Sequence, residues 1–324
     1  MKNVLVTGGF GFIGSNLVRR LLLQGYNVSI FTQSRAESWR LYDCISDVAV
    51  YDIDLVSKDA VEKGIQQVRP DTIFHLASFG GFPNQKDTQL IYDINFYGTI
   101  FLYEAAKKIG FDCFINTGSS SEYGIKNEPM TESMVLEPIS AYAVAKAAAT
   151  QFCLKEALFD KLPVYTVRPF STYGDAELGS RLIPYIVQAL LHNTPMHLAS
   201  PNNVRDYIYV YDLIDLYLSI AQIRPTAQFV FNGGTGIQSS TKELIKVVQS
   251  VWPAKIDPIW GVAQSRPWEP IHWQADITKA QEILGFVPKY SLEQGLLKTI
   301  EWFKSHQFLY ENNYEHGKAV TCNK

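Results

Sequence analysis

The 324-residue chain has only four cysteines, Cys44, Cys113, Cys153 and Cys322, and they lie far apart. There is no CxxC pair and no histidine pair beside any of them, so neither a disulfide framework nor a metal site is indicated. They read as free thiols, three of them packed in or beside the core. Long apolar runs are also missing. No uninterrupted stretch is long enough to cross a bilayer, and no basic segment leads into a signal-like core. A cytoplasmic protein without a membrane partner is the expectation. Charge of one sign is scarce as well: 29 Lys and Arg stand against 32 Asp and Glu, a formal net charge of −3. That balance gives no basis for binding nucleic acid. Repeats and low-complexity segments are absent.

The apolar share is 47% and the charged share 19%, ordinary values for a globular protein. The length suits one large domain plus a smaller one. The most informative segment is the first. An apolar run, Val4 to Val6, leads into Gly8, Gly11 and Gly14, and an amphipathic stretch, Asn16 to Gln24, follows. Strand, glycine turn and helix in that order make a phosphate cradle. Gly8 permits the tight turn, Gly11 lets the backbone approach a pyrophosphate, and Gly14 lets the helix pack closely on the strand. The helix N-terminus then offers free N–H groups and the positive end of its dipole.

Strand-like and helix-like segments alternate through the first half. Val28–Phe31, Val48–Tyr51, Thr72–Leu76, Cys113–Thr117 and Val164–Arg168 read as strands. Ala60–Val68, Gln89–Lys108 and Ala141–Phe159 read as helices. The alternation predicts an α/β fold, a doubly wound parallel sheet of Rossmann type. Polar clusters sit just after its strands: Thr7-Gly8, His75-Leu76-Ala77-Ser78, Thr117-Gly118-Ser119 and Arg168-Pro169-Phe170-Ser171. Ligands in such sheets bind at these carboxyl ends. Beyond about residue 170, frequent prolines break the chain into short elements, which suggests a smaller region interleaved with the first.

Tyr142 and Lys146 in Tyr142-Ala143-Val144-Ala145-Lys146 fall on one face of a helix. A phenol with its ordinary pKa of about 10 is a poor proton carrier at neutral pH, and a nearby ammonium lowers that value. TGGFGFIG at the start, Ser119-Ser120-Ser121 after a strand and YAVAK about twenty residues later together resemble the extended short-chain dehydrogenase/reductase family. Asp54-Leu55, His75-Leu76-Ala77, Asn95-Phe96-Tyr97-Gly98-Thr99, Arg205-Asp206-Tyr207 and Arg266 through Asp276 match further motifs of that family in order.

The resemblance implies a dinucleotide-binding domain over residues 1–170 plus roughly 205–230, and a nucleotide-sugar-binding region over 171–204 and 231–324. It gives Ser119, Tyr142 and Lys146 the catalytic roles, with Tyr142 exchanging a proton with a sugar oxygen. The cofactor would lie along Gly8, Gly11, Phe12, Ile13, Gly14, Thr32, Ser34, Arg35, Asp54, Leu55, Leu76, Ala77, Ser78, Asn95, Thr117 and Pro169. Ser120, Ser121, Ser171, Arg205 and Arg266 would face a nucleotide-diphosphate sugar, whose pyrophosphate suits a guanidinium clamp. The helices Gln89–Lys108 and Ala141–Phe159 would pair two copies as a homodimer.

Three departures from the family select a reaction. Ser120 and Ser121 replace the acid pair with which its 4,6-dehydratases eliminate water, which argues against a dehydratase. Thr32 replaces the acid that grips the adenosine ribose in NAD-using members, and Ser34, Arg35 and Arg40 follow, which favours NADP(H) over NAD. Ser171 stands where relatives often carry Asn. The expected reaction is NADPH-dependent reduction of a keto group, at C4 of a 4-keto-6-deoxy sugar. The alternative is an NAD-dependent 4-epimerase using the same Tyr142, Lys146 and Ser119.

Overall fold

A computed structural model describes residues 2–35, 38–82, 84–223, 226–252, 256–262 and 270–311. The first half supplies six strands: β1 (Asn3–Thr7), β2 (Asn27–Thr32), β3 (Ala49–Asp52), β4 (Thr72–His75), β5 (Cys113–Thr117) and β6 (Val164–Pro169). Six more strands follow: β7 (Ser171–Tyr173), β8 (Met196–Leu198), β9 (Val204–Tyr209), β10 (Val230–Gly233), β11 (Gln238–Ser240) and β12 (Pro258–Trp260). Seven of them form one parallel sheet in the order β10-β6-β5-β4-β1-β2-β3. The order reverses between β1 and β4, which opens a crevice at their carboxyl ends.

Side-chain alternation assigns the two faces of the sheet. Val4, Val6, Ile30, Phe74 and Ile115 pack on one side with helices α1 (Phe12–Leu23) and Val210–Ala221. Leu5, Phe31, Ile73 and Phe114 point to the other side, against helices Lys58–Val68, Gly98–Ile109 and Ala141–Phe159. Most of these strand residues are wholly buried, each worth about 1.5–3 kcal/mol relative to exposure. The second half adds a three-stranded sheet, β11-β9-β7, and the pair β12-β8. These strands are short and join distant segments, so the sequence pattern did not disclose them.

Two helices depart from expectation. α1 begins at Phe12 rather than Asn16, because Gly11 is extended (φ −70°, ψ 172°) and the helix starts directly after it. The expected helix Gln89–Lys108 is instead Thr88–Tyr92, a π-helical turn Asp93–Tyr97, and Gly98–Ile109. Apolar spacing cannot reveal that extra residue in the turn, and such bulges favour functional sites. No helix among the described residues is long and apolar enough to cross a membrane.

Candidate active site

The glycine turn leaves no room for side chains. Gly8 sits at φ +68°, and a Cβ there would come within 2.7 Å of the Leu76–Ala77 backbone. A Cβ on Gly14 would collide with the Gly8 carbonyl oxygen. Five other helices accept an N-terminal amide with a Ser or Asp side chain (Ser57, Asp87, Ser140, Ser240 and Ser291), whereas α1 has neither a side-chain cap nor an acid in its first turn. Its exposed amides and the tight loop fit the pyrophosphate of a dinucleotide. Behind the turn, His75 is wholly buried, and burial pushes its pKa down to about 3, so it is neutral. Thr99 Oγ1 donates to Asn95 O (2.9 Å), so His75 Nε2 donates to Thr99, and Thr7 Oγ1 donates to Nδ1 (2.7 Å). Thr7 Oγ1 in turn accepts the Ala77 amide, which fixes the loop after β4.

At the end of β5 the catalytic candidates meet. Ser119 caps the short 3-10 turn Ser120–Tyr123, its hydroxyl accepting the Ser121 amide at 3.1 Å. The Tyr142 phenol lies within the influence of the Ser78 and Ser119 hydroxyls. Burial pushes the phenol above its ordinary pKa, while those two hydroxyls, and the Arg181 charge more weakly, pull it down. Lys146 is buried, with its ammonium 6.0 Å from the centre of the Tyr142 ring and donating to Thr117 O at 2.9 Å. Burial lowers the Lys146 pKa to about 8. Lys146 is the residue expected to lower the phenol's pKa, and its ammonium is anchored by the β5 carbonyl. Ser120 is buried beside them and Ser121 half-buried.

The remaining residues line the crevice unequally. Phe12, Ile13, Leu76 and Ala77 are partly exposed along it, and Leu55 packs beside Gly98. Pro169 and Ser171 flank the end of β6 and are also partly exposed. Thr117 commits its hydroxyl to Tyr217 at 2.7 Å, leaving its carbonyl for Lys146. Asp54 accepts from the Val56 amide and the Gln33 side chain. Asn95 is fully buried, its amide nitrogen donates to Phe79 O and Ile91 O, and its oxygen accepts the Phe79 amide. From the π-helical turn it shapes the loop that begins at Phe79.

At the adenosine end, Thr32 exchanges hydrogen bonds with the Ser34 backbone, and Arg35 pairs loosely with Asp52 at 3.5 Å. Arg40 departs from expectation. It is 2% exposed and donates to Ala176 O at 2.8 Å and Phe10 O at 3.1 Å, so it serves the interior and not a ribose phosphate. On the substrate side, Arg205 emerges from β9, bonds Val204 O and lies 5.6 Å from the Trp273 ring. Its neighbour Asp206 is wholly buried and accepts from Thr235 N and Oγ1, Gly236 N and Ala275 N, tying three segments together. Arg266 lies outside the described residues. No group of metal ligands occurs among the described residues.

Comparison with known proteins agrees with this geometry. Residues 4–232 match the NAD dependent epimerase/dehydratase family. The chain belongs to that family. A UDP-glucose 4-epimerase of Mycolicibacterium smegmatis is 30% identical over 93% of this chain and 98% of its own. The crystal structure of a UDP-glucose 4-epimerase from Thermotoga maritima with UDP-glucose superposes with a TM-score of 0.86, at 26% identity, covering 94% of this chain and 99% of that one. A UDP-glucuronic acid 4-epimerase from Bacillus cereus, solved with UDP-glucuronic acid and NAD, gives 0.83 at 27% identity over 94% and 99%. The fold is thus that of the extended short-chain dehydrogenase/reductases.

Within this epimerase/dehydratase frame, three residues stand out that the sequence reading passed over or used only as family signs. Ser78, in the loop after β4, also pulls the Tyr142 pKa down. Arg181 stacks over Phe82 at 4.3 Å and feels the Tyr142 phenol. Glu122 is buried against Arg168 at 2.8 Å. The first two interactions cross long stretches of chain and leave no local pattern. The Glu122 side of the third is visible in sequence as a Ser-x-x-Glu capping box.

Proposed function

We propose that the chain is an NAD-dependent nucleotide-sugar 4-epimerase. The observation that carries the proposal is the placing of Lys146 6.0 Å from the Tyr142 ring, with Ser119 on the turn after the same strand whose Thr117 carbonyl holds the ammonium, in a chain whose relatives include 4-epimerases. Gly8, Gly11, the start of α1 and the loop Leu76–Ser78 would hold the dinucleotide, and Arg205 the sugar's pyrophosphate. Bound NAD supplies a hydride acceptor and donor for the carbon at C4. Tyr142 accepts the proton of the C4 hydroxyl as that oxygen becomes a carbonyl, and Ser119 keeps a hydrogen bond to the same oxygen. Lys146 holds its charge beside the ring while the phenol changes state. Once the sugar presents its other face, Tyr142 returns the proton and the configuration is inverted. Ser120 and Ser121 cannot act as the acid and base of a dehydration.

Two findings support NAD. Asp52, the exposed register partner of Thr32, puts a carboxylate at the adenosine end, where it opposes a 2′-phosphate. Arg40, counted for NADP(H) from sequence, is turned inward. A second reading, NADPH-dependent reduction of a 4-keto-6-deoxy sugar nucleotide, draws on the hydroxyl of Thr32 and on Arg35. Incubation with UDP-sugars, followed by chromatography of sugars and nicotinamide, separates the two. Interconversion of the C4 epimers without net change in NAD is expected. Stoichiometric loss of NADPH with a 4-keto sugar nucleotide, and no epimerisation, would overturn it.

A further inference from the structure

The carboxylate of Glu122 is wholly buried directly behind the Ser119 turn, a place where the reaction itself has no task for it. Its Oε1 accepts the Ser119 amide at 2.8 Å and the Thr150 hydroxyl at 2.9 Å, and its Oε2 accepts Arg168 Nε at 2.8 Å. Arg168, 2% exposed, also donates to the Tyr123 hydroxyl at 2.9 Å and to Glu132 O. Tyr123 completes the chain by donating to Asn232 Oδ1. A buried ion pair is seldom a source of net stability, so a position that keeps one invites a functional account. The groups facing Glu122 are Tyr142, Lys146, Thr150 and Cys153 from helix Ala141–Phe159, Arg168 from β6, and Ser119 and Tyr123 from its own turn.

We propose that Glu122 is a positioning residue of this site: anchored by Arg168, it fixes Ser119 and sets one negative charge behind the Tyr142–Lys146 pair. The proposal rests on the reading of Ser119, Tyr142 and Lys146 as the proton-exchanging set. Burial raises the Glu122 pKa, and Arg168 with the Ser119 and Thr150 donors opposes that rise. The resulting charge favours the ammonium of Lys146 and disfavours the phenolate of Tyr142. It therefore keeps Lys146 charged and limits how far the Tyr142 pKa is drawn down, so the phenolate that takes the C4 proton is readily reprotonated. Ser119 is held from behind through its amide, so its hydroxyl keeps one direction.

The test is a phenolate titration, read as the ultraviolet difference between each protein and its Tyr142→Phe counterpart, and it needs no substrate. In Glu122→Gln the Tyr142 step should fall by about one pH unit, the smaller end of what a lost neighbouring charge produces. Glu122→Asp, which keeps the charge, should titrate as the unaltered chain does. With a sugar nucleotide that turns over, Glu122→Gln should lower kcat several-fold more than it raises KM. If Glu122→Gln does not fold, Glu122→Gln/Arg168→Met replaces the pair by neutral groups and should show the same downward step. An unchanged Tyr142 titration in the folded variant would overturn the proposal and leave Glu122 a purely structural residue. Failure to find any epimerised sugar would instead fall on the proposed function, since the titration stands without it.

Discussion

In the proposed reaction Tyr142 carries the proton, with Ser119 and Ser78 favouring its ionised form. Replacement by Phe removes the proton carrier and little volume, so turnover should fall about 10²–10⁴-fold. The affinity for NAD, followed by fluorescence titration, should stay nearly unchanged. Lys146 sets the alkaline limit. Its pKa is lowered to about 8 by burial, so the ammonium is present below that value and lost above it. The kcat/KM profile should accordingly decline as pH rises through about 8. The same depression means that, between about 8 and the ordinary lysine value, the unfolded chain binds more protons than the folded one. This group's contribution to stability therefore rises with pH across that window. That Tyr142 and Lys146 share a helix face could be read from their spacing, because one turn of helix suffices to bring them together, whereas their roles came only with the family resemblance. The influence of Ser78 on Tyr142 could not be read at all, since it joins residues from two elements far apart in the chain.

Among elements, the turn between β1 and α1 was the most legible, because three glycines with fixed tasks leave few alternatives. Gly14→Ala should force the Gly8 carbonyl to move. The expected cost is about 1–3 kcal/mol in stability, with marked loss of NAD binding, checked by thermal melting and dinucleotide titration. β5 and helix Ala141–Phe159 lie where the sequence pattern put them, since buried strands and long helices give the strongest periodic signal. The π-helical turn Asp93–Tyr97 was hidden for the opposite reason. It changes the backbone by one residue and leaves the apolar spacing almost intact, so only the bonds of Asn95 to Phe79 and Ile91 disclose it.

At the scale of the whole molecule, the parallel sheet followed from the alternation of elements. Its seventh strand, β10, did not, because Val230–Gly233 joins the sheet from beyond a long excursion. We propose that two copies pair through the helices Gly98–Ile109 and Ala141–Phe159, where Tyr97, Val144, Leu158 and Phe159 remain exposed. Light scattering at micromolar concentration should give twice the chain mass, and Tyr97→Glu should shift it toward one. A monomer mass for the unaltered chain would end that proposal. Asp206 has a consequence of another kind. One carboxylate rivets β9, the turn after β10 and the segment at Ala275, so the arm that presents Arg205 cannot be redirected without disturbing the joint beside it. On the proposed reading, nucleotide grip and architectural integrity would thus be inherited together. Evolutionary drift toward a different sugar would then be left to residues clear of the rivet, such as Ser171 and the loop from Phe79 to Phe82.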